Sequence, residues 1–397
     1  MLAGVTAMRT ESVEYNPFSY EIHEDPYPTY ALLRERAPAY YNAEHDFWAL
    51  SRFEDVWNAF ADWQTFSSAN GVALEDTLGI SPDMIITMDP PRQTRIRGLV
   101  ARALTPRRVA ALEPKVRAIV IRHIHGFIGS GKADMIVDLG KLLPMEVIAA
   151  FLGVPEEDHA QIRLWTEAML HREPDSSEVP AAGVEGFLAL SEYFRRDLGR
   201  RRANAGDDLV SGLLTAEVDG ERLSDDEIVG FLFLLALAGG ETTTKLMGNM
   251  VFNLGRHPEQ KAKLLADESL MANAVEEALR FDTSTQLMVR TLTRDYEIHG
   301  ETLQAGKKVA LLIASGNRDQ REYQSPDVFD ITRKIQRILS FGHGPHLCVG
   351  ASLARLETRV TFEELHRRVP GYEVDFAGCV RVHNTNVRGF ASIPLHW

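Results

Sequence analysis

The sequence predicts a mainly α-helical fold with small β-sheets at its edges. Three observations lead there. Apolar residues recur at three- and four-residue spacing over 109–128, 143–152, 186–202 and 350–368, the period of a helix with one buried face. Strand-like pieces are few and short: 47–51, 296–298 and 307–313. One helix is far longer than the rest. It opens on Ser224-Asp225-Asp226-Glu227, a capping box in which serine and glutamate satisfy the first orphan N–H groups reciprocally. Its apolar pattern holds to Gly255, with Pro258 just beyond as a stop. About 30 residues at 1.5 Å each make a rod of roughly 45 Å, enough to cross a whole domain. The middle of that rod is apolar nearly all round, so it belongs in the core.

Composition bounds the function. The chain has 397 residues, and 45 % of them are hydrophobic, ample for a buried core. With 43 basic and 56 acidic side chains the net charge is −13, which argues against nucleic acid as the main partner. Two cysteines, Cys348 and Cys379, exclude a disulfide framework and a four-cysteine zinc site. Residues 1–20 are polar, with no signal-peptide core. The longest apolar run, 228–238, is short of the roughly 20 residues a membrane span needs. A cytoplasmic protein with no membrane span is expected.

The long helix breaks its own rules halfway. Ala238-Gly239-Gly240-Glu241-Thr242-Thr243-Thr244 places two glycines, an acid and three threonines in succession. Each interior glycine costs about 1 kcal/mol against alanine. A buried carboxylate is expensive unless partnered, and threonine can bond back to a preceding carbonyl and bend the helix. Two readings stand. One is a packing notch for another helix, with Glu241 on an exposed turn. The other is a helix opened to admit a small ligand, with Glu241 and Thr242 handling protons.

The strongest signal is Phe341-Gly342-His343-Gly344-Pro345-His346-Leu347-Cys348-Val349-Gly350. Glycines and a proline make a rigid loop, and a helix starts right after it. Unpaired N–H groups and the dipole at that start favour a thiolate on Cys348. Glycines let the backbone approach a flat ligand. One thiolate with no second cysteine nearby suits an axial ligand of haem iron. The competing readings are a buried structural cysteine, which is accepted for Cys379, and the nucleophile of a cysteine hydrolase, which spacing alone does not exclude.

These residues carry a resemblance. The loop resembles the haem-binding signature Phe-Gly-x-Gly-x-His-x-Cys-x-Gly of the cytochrome P-450 family at every fixed position. Ala238 to Thr242 resembles that family's oxygen-binding Ala/Gly-Gly-x-Asp/Glu-Thr, and Glu277-Ala278-Leu279-Arg280 its Glu-x-x-Arg. Further likeness runs along nearly the whole chain: Asp25-Pro26-Tyr27-Pro28, Leu33-Arg34, Met88-Asp89-Pro90-Pro91 through Arg97, Phe329 to Arg333, and Arg388-Gly389-Phe390. The style is that of the soluble bacterial members. One departure stands out: many such members have His four residues before the Arg of the haem-edge helix, and here that position is Gln93. A neutral amide donates without charge assistance, so the sequence leaves open whether Gln93 contacts a haem propionate.

The resemblance implies the P-450 fold, with the long helix crossing the core over a haem b. Residues spread from Arg97 to Cys348 then belong to a single domain, 1–397, in which 1–15 form a loosely ordered tail. Cys348 becomes the axial iron ligand. Arg97, Arg290 and His346 become cationic partners of the propionates, and Phe341, Ala238 and Gly350 line the macrocycle. Glu241 and Thr242 relay protons. Glu277, Arg280 and Arg333 form a structural ion triad. Leu234, Leu237, Ala238, Met288, Val289 and Phe390 are the implied substrate contacts. Trp165 and Met169, in a region that often forms the lid, read better as core packing. Residues 70–87 read as a mobile binding loop.

The implied reaction is hydroxylation or epoxidation of a hydrophobic small molecule such as a terpenoid, steroid, fatty acid or polyketide, using O₂. Electrons would come from NAD(P)H through a ferredoxin reductase and a ferredoxin. The ferredoxin would dock on Arg333, Lys334 and Arg337, joined by Arg107, Arg108 and Arg355. A peroxide-driven peroxygenase of the same fold is the first competitor, and the Glu241-Thr242 pair speaks against it. A haem sensor or carrier without turnover is the competitor from another class.

Overall fold

The computed structural model describes residues 13–75, 84–103, 105–170, 180–204, 206, 209–218 and 220–397. Helices dominate, with small sheets beside them, as expected. The largest sheet has five strands. β1 (Ala39–Asn42) and β2 (Phe47–Leu50) form an antiparallel hairpin. β3 (Phe66–Ser67) and β4 (Met288–Leu292) pair antiparallel, and β5 (Lys308–Leu311) lies between β4 and β2. The order is β1-β2-β5-β4-β3. β2 is buried at every residue, which is why it reads as a continuous apolar run rather than an alternation. β4 was not expected as a strand, because Arg290 interrupts its apolar pattern. It pairs with Val309 across the sheet, and the guanidinium is buried with the strand.

Five helices position the site: α1 (Arg92–Ala103), α2 (Leu143–Phe151), α3 (Asp225–Arg256), α4 (Met271–Phe281) and α5 (Ala351–Arg368). α3 is the long helix, 32 residues without interruption. Its capping box is formed as expected. Glu227 N–H donates to Ser224 Oγ at 3.2 Å, and Ser224 N–H donates to Glu227 Oε2 at 3.0 Å. The helix expected over 109–128 is instead two, Pro106–Ala111 and Glu113–Phe127. Pro114 lacks an N–H and sits in the first turn of the second helix, so it starts a helix there and does not continue one.

α3 joins two separate cores. Its first half, Ile228 to Ala236, packs with Ile96 and Leu99 of α1, Ile148 of α2, and Phe194. Its second half, Leu246 to Leu254, packs with Val275 of α4 and Leu356 and Val360 of α5. Between the halves Leu237, Glu241 and Thr242 are only half-buried, and Ala238 is exposed. A methyl group exposed midway along a core helix marks a hollow between the two cores. Among the described residues α3 is also the one helix long and apolar enough to cross a membrane, and 56 % of its most apolar window is buried inside the protein.

Tyr15, expected to lie in a loosely ordered tail, is instead anchored. Tyr15 is 1 % exposed, and its carbonyl accepts from Asn42 Nδ2 at 2.9 Å. Residues 1–12 lie outside the described residues. The expected binding loop over 70–87 also lies partly outside them, at 76–83. Its two ends are fixed. Val289 N–H donates to the Val72 carbonyl at 2.9 Å, Lys308 Nζ donates to Leu74 at 2.7 Å, and Ile85–Thr87 makes one 3₁₀ turn.

Candidate active site

The cysteine loop is held by its glycines and by its flanks. Gly342 and Gly344 both have φ of +69°, a conformation that side chains with a Cβ rarely adopt. At Gly344 an added Cβ would also lie 2.8 Å from the Phe60 carbonyl oxygen. Cys348 N–H donates to Phe341 O at 2.8 Å, closing the loop on itself. The His343 ring stacks on Trp57 at 3.6 Å, and the Arg355 guanidinium lies 4.5 Å from the Phe341 ring centroid. Gln93, 1 % exposed, donates its amide to Pro345 O at 2.6 Å. The amide that replaces a histidine on α1 is therefore spent on bracing this loop.

Cys348 is open by area yet ringed by protein, as at the bottom of a pit. Burial is the largest influence on its thiol and pushes the pKa up. The Gly350 and Ala351 N–H groups of the helix start, with Arg97 and Arg355, pull the other way. The helix start thus acts in the expected direction but does not win, so the thiolate form depends on the metal it would ligate.

Arg290, His346, Arg97 and Asp89 share one electrostatic neighbourhood beside that cysteine. Arg290 is 2 % exposed, and its only side-chain hydrogen bond among the described residues goes to its own neighbour's carbonyl, Val289 O at 2.8 Å. Burial pulls it down to about 10, still protonated at neutral pH. Arg97, half-buried, has no ion-pair partner among the described residues. His346 is expected to be cationic beside a propionate, and without that carboxylate the protein alone favours its neutral form. Burial, then the Arg290 charge, push it down to about 4, so at neutral pH its ring is a neutral donor and the positive charge comes from Arg97 and Arg290. Its Nε2 lies 3.3 Å from Ser68 Oγ. Asp89, to which the sequence assigned no role, is held by Ser67 Oγ at 2.5 Å and Ser68 N–H at 2.9 Å, and it is the carboxylate acting on both Arg290 and His346.

The ion triad is fully formed. Glu277 and Arg280 are completely buried and bidentate at 2.7 Å. Arg333 reaches Glu277 at 3.2 Å. Glu277 also accepts the Asp330 N–H, and Arg280 donates to the carbonyls of Asn317 and Pro326. The triad ties α4 to the segment that leads into the cysteine loop.

The packing-notch reading of the mid-helix motif holds for its glycines, while the helix is not opened there and Glu241 is half-buried rather than on an exposed turn. A Cβ on Gly239 would lie 2.1 Å from Ile148 Cδ1, and one on Gly240 would lie 2.7 Å from Met145 Sδ, so the glycines are the notch that admits α2. Ala238 faces the hollow, and Thr242 Oγ1 donates back to the Ala238 carbonyl at 2.9 Å. Glu241 is half-buried with no side-chain hydrogen bond among the described residues.

The remaining expected contacts divide. Leu234, Leu237 and Met288 are half-buried. Val289, 1 % exposed, packs instead with Tyr30, Phe47 and Ala310, because it points to the other side of the sheet. Phe390, 2 % exposed, packs on Phe252 at 4.5 Å under the Arg381 guanidinium, in the core and not at the hollow. Trp165 and Met169 pack against Gly186 and the core of the first half of α3, as read. The basic docking cluster is largely neutralised. Arg337 pairs with Glu322 and Glu54, Arg333 with Glu277, and Arg355 with Glu276. That leaves Arg107, Arg108 and Lys334 without an ion pair among the described residues.

A family model for Cytochrome P450 matches residues 189–369. Over 385 residues the chain is 42 % identical to the putative cytochrome P450 123 of Mycobacterium tuberculosis, covering 96 % of each. The chain belongs to the cytochrome P450 family. It is also 37 % identical over 396 residues to the vitamin D(3) 25-hydroxylase of Pseudonocardia autotrophica, covering 97 % of each. Its fold matches cytochrome P450 CYP109Q5 from Chondromyces apiculatus at a TM-score of 0.91, with 35 % identity over 97 % of this chain and 98 % of that one. Like its P450 relatives, the chain is a monooxygenase of a family whose cofactor is haem. Its residues fit that group. Cys348 presents its thiol at the start of α5, where the Gly350 and Ala351 N–H groups and the Arg97 and Arg355 charges favour the thiolate that a haem iron would take as ligand. Arg290, on which the Asp89 charge acts without a direct ion pair, and Arg97, with no ion pair among the described residues, suit the macrocycle's two carboxylates.

Proposed function

We propose that this P450 inserts one oxygen atom of O₂ into an apolar small molecule, by hydroxylation or epoxidation, as a single domain in a bacterial cytoplasm. The observation that carries the residue assignment is the pair of cations, Arg290 and Arg97, that act together on His346 in the cysteine loop and have no ion-pair partner within bonding distance among the described residues. Cys348 would ligate the iron, and the two guanidinia would each hold a propionate, with His346 adding an N–H. Bound haem supplies O₂ activation, with thiolate donation favouring O–O cleavage.

The protein's own work is then proton delivery and exclusion of water. The Thr242 hydroxyl can turn from the Ala238 carbonyl to a water in the hollow. Glu241, with no competing bond, can take a proton from outside and pass it inward. Ala238, Leu234, Leu237 and Met288 give the substrate an apolar wall, which supports a terpenoid, steroid, fatty acid or polyketide. The name of the vitamin D(3) hydroxylase relative supports the same class. Thr242→Ala should divert reducing equivalents from product to hydrogen peroxide. A variant that stays fully coupled would remove the relay from the account.

NAD(P)H would supply electrons through a ferredoxin reductase and a ferredoxin. The docking face would be the side of α5 that carries a groove of about 320 Å³ between Val109, Val275 and Leu356, near Arg107. Arg107→Glu with Lys334→Glu should slow ferredoxin-driven reduction without disturbing the haem spectrum. An unchanged rate would rule out that face.

A further inference from the structure

We propose that Lys245 is a positioning residue for Glu241, drawing its carboxylate inward along α3 and so setting how often it is available on the hollow side. The inference rests on the proton-delivery role proposed for Glu241. Lys245 is 4 % exposed in the middle of the protein. An ammonium has three donors, and one of them reaches the Phe390 carbonyl at 3.0 Å. No carboxylate forms an ion pair with it among the described residues. The carboxylate whose charge acts on it is that of Glu241, and Lys141 acts on it as a second, opposing cation.

The geometry makes the two residues natural partners. Residues four apart on a helix are surface neighbours about 6 Å apart at Cβ, and glutamate preceding lysine is the favourable order. Lys245 has donors to spare, and Glu241 has no side-chain hydrogen bond among the described residues, so a rotation of the glutamate would satisfy both. The lysine is not free to move away. An added Cβ on Gly389 would lie 2.7 Å from Lys245 Cβ and 2.9 Å from its Cγ, so the chain at Gly389 passes directly over the lysine stem. The ammonium is thus a fixed post and the carboxylate the moving part. A buried, unpaired lysine is unfavourable to folding, and burial does lower its pKa.

The test is a double-mutant cycle on the haem-loaded protein: Lys245→Gln, Lys245→Met, Glu241→Gln and each double variant. Lys245→Gln removes the charge and leaves an amide donor, one bond shorter, facing the Phe390 carbonyl. One readout is the infrared stretch of carbon monoxide bound to the reduced haem, which senses the field in the hollow. The other is peroxide released per NADPH consumed, with its solvent isotope effect. Lys245→Gln should shift the stretch and change peroxide release by about threefold or more, and it should do neither in the Glu241→Gln background. Equal effects in both backgrounds, or none in either, would overturn the inference. If Glu241→Gln alters peroxide release and Lys245→Gln does not, the inference fails alone. If Glu241→Gln alters nothing, the proton-delivery reading fails and takes the inference with it. Should Lys245→Met not fold, Lys245→Gln with an unchanged melting temperature still decides.

Discussion

Glu357 sits fully buried on α5, and its Oε2 has no hydrogen-bond partner among the described residues. Burial raises its carboxyl to about 8. Between its ordinary value near 4.5 and about 8 the folded state therefore holds a proton that the unfolded chain has released. Stability falls as pH rises through that window. Glu357→Gln should flatten that slope, read as the denaturant midpoint against pH; an unchanged slope would show that the group does not titrate there. The glycines of the cysteine loop give a second residue-scale contrast. Gly344→Ala meets both a left-handed φ and the Phe60 carbonyl, while Gly342→Ala meets the φ alone, its nearest neighbour being 3.9 Å away. We expect a loss of about 2–3 kcal/mol for the first and about 1 kcal/mol for the second, with haem content falling in the same order. The signature residues of this loop were legible in the sequence because backbone conformation restricts residue type. The thiol's raised pKa and the neutral state of His346 were not, because both come from burial by residues far away in the chain.

At the scale of elements, the long helix was readable to within a residue from its capping box and apolar run. The mid-helix motif was only half readable. Glycine serves equally for a notch and for an opening, and only the position of α2 shows that Gly239 and Gly240 make the notch while Ala238 and Thr242 face the hollow. Gly239→Ala should cost about 1–3 kcal/mol, as its methyl meets Ile148. Adding Ile148→Ala should recover part of that loss if the contact is the cause. Strictly additive losses in a denaturation series would refute the notch. β4 escaped the sequence for a related reason. A charged residue inside a five-residue strand erases the apolar signal, and that charge is buried where it acts on His346 of the cysteine loop.

Over the whole molecule, residues from Arg97 to Cys348 converge, and their order along the chain made the family legible before any geometry. Which surface cations are free was not legible, since Arg337 and Arg355 are paired by Glu54, Glu276 and Glu322 from separate segments. Nor was it legible that Val289 and Phe390 turn into the core. The Glu277–Arg280 pair ties these segments together. Arg280→Ala would leave a buried carboxylate uncompensated, at a cost of about 3–5 kcal/mol, read by denaturant unfolding. A loss below about 1 kcal/mol would mean that the triad does not brace the loop. The central claim is that Cys348 is the thiolate ligand of haem iron, and one spectrum tests it most directly. The purified protein, reduced and exposed to carbon monoxide, should show the red-shifted Soret band of thiolate ligation, and Cys348→His should abolish that shift. A colourless protein, a band at the position of histidine-ligated haem, or an unchanged band in Cys348→His would contradict it.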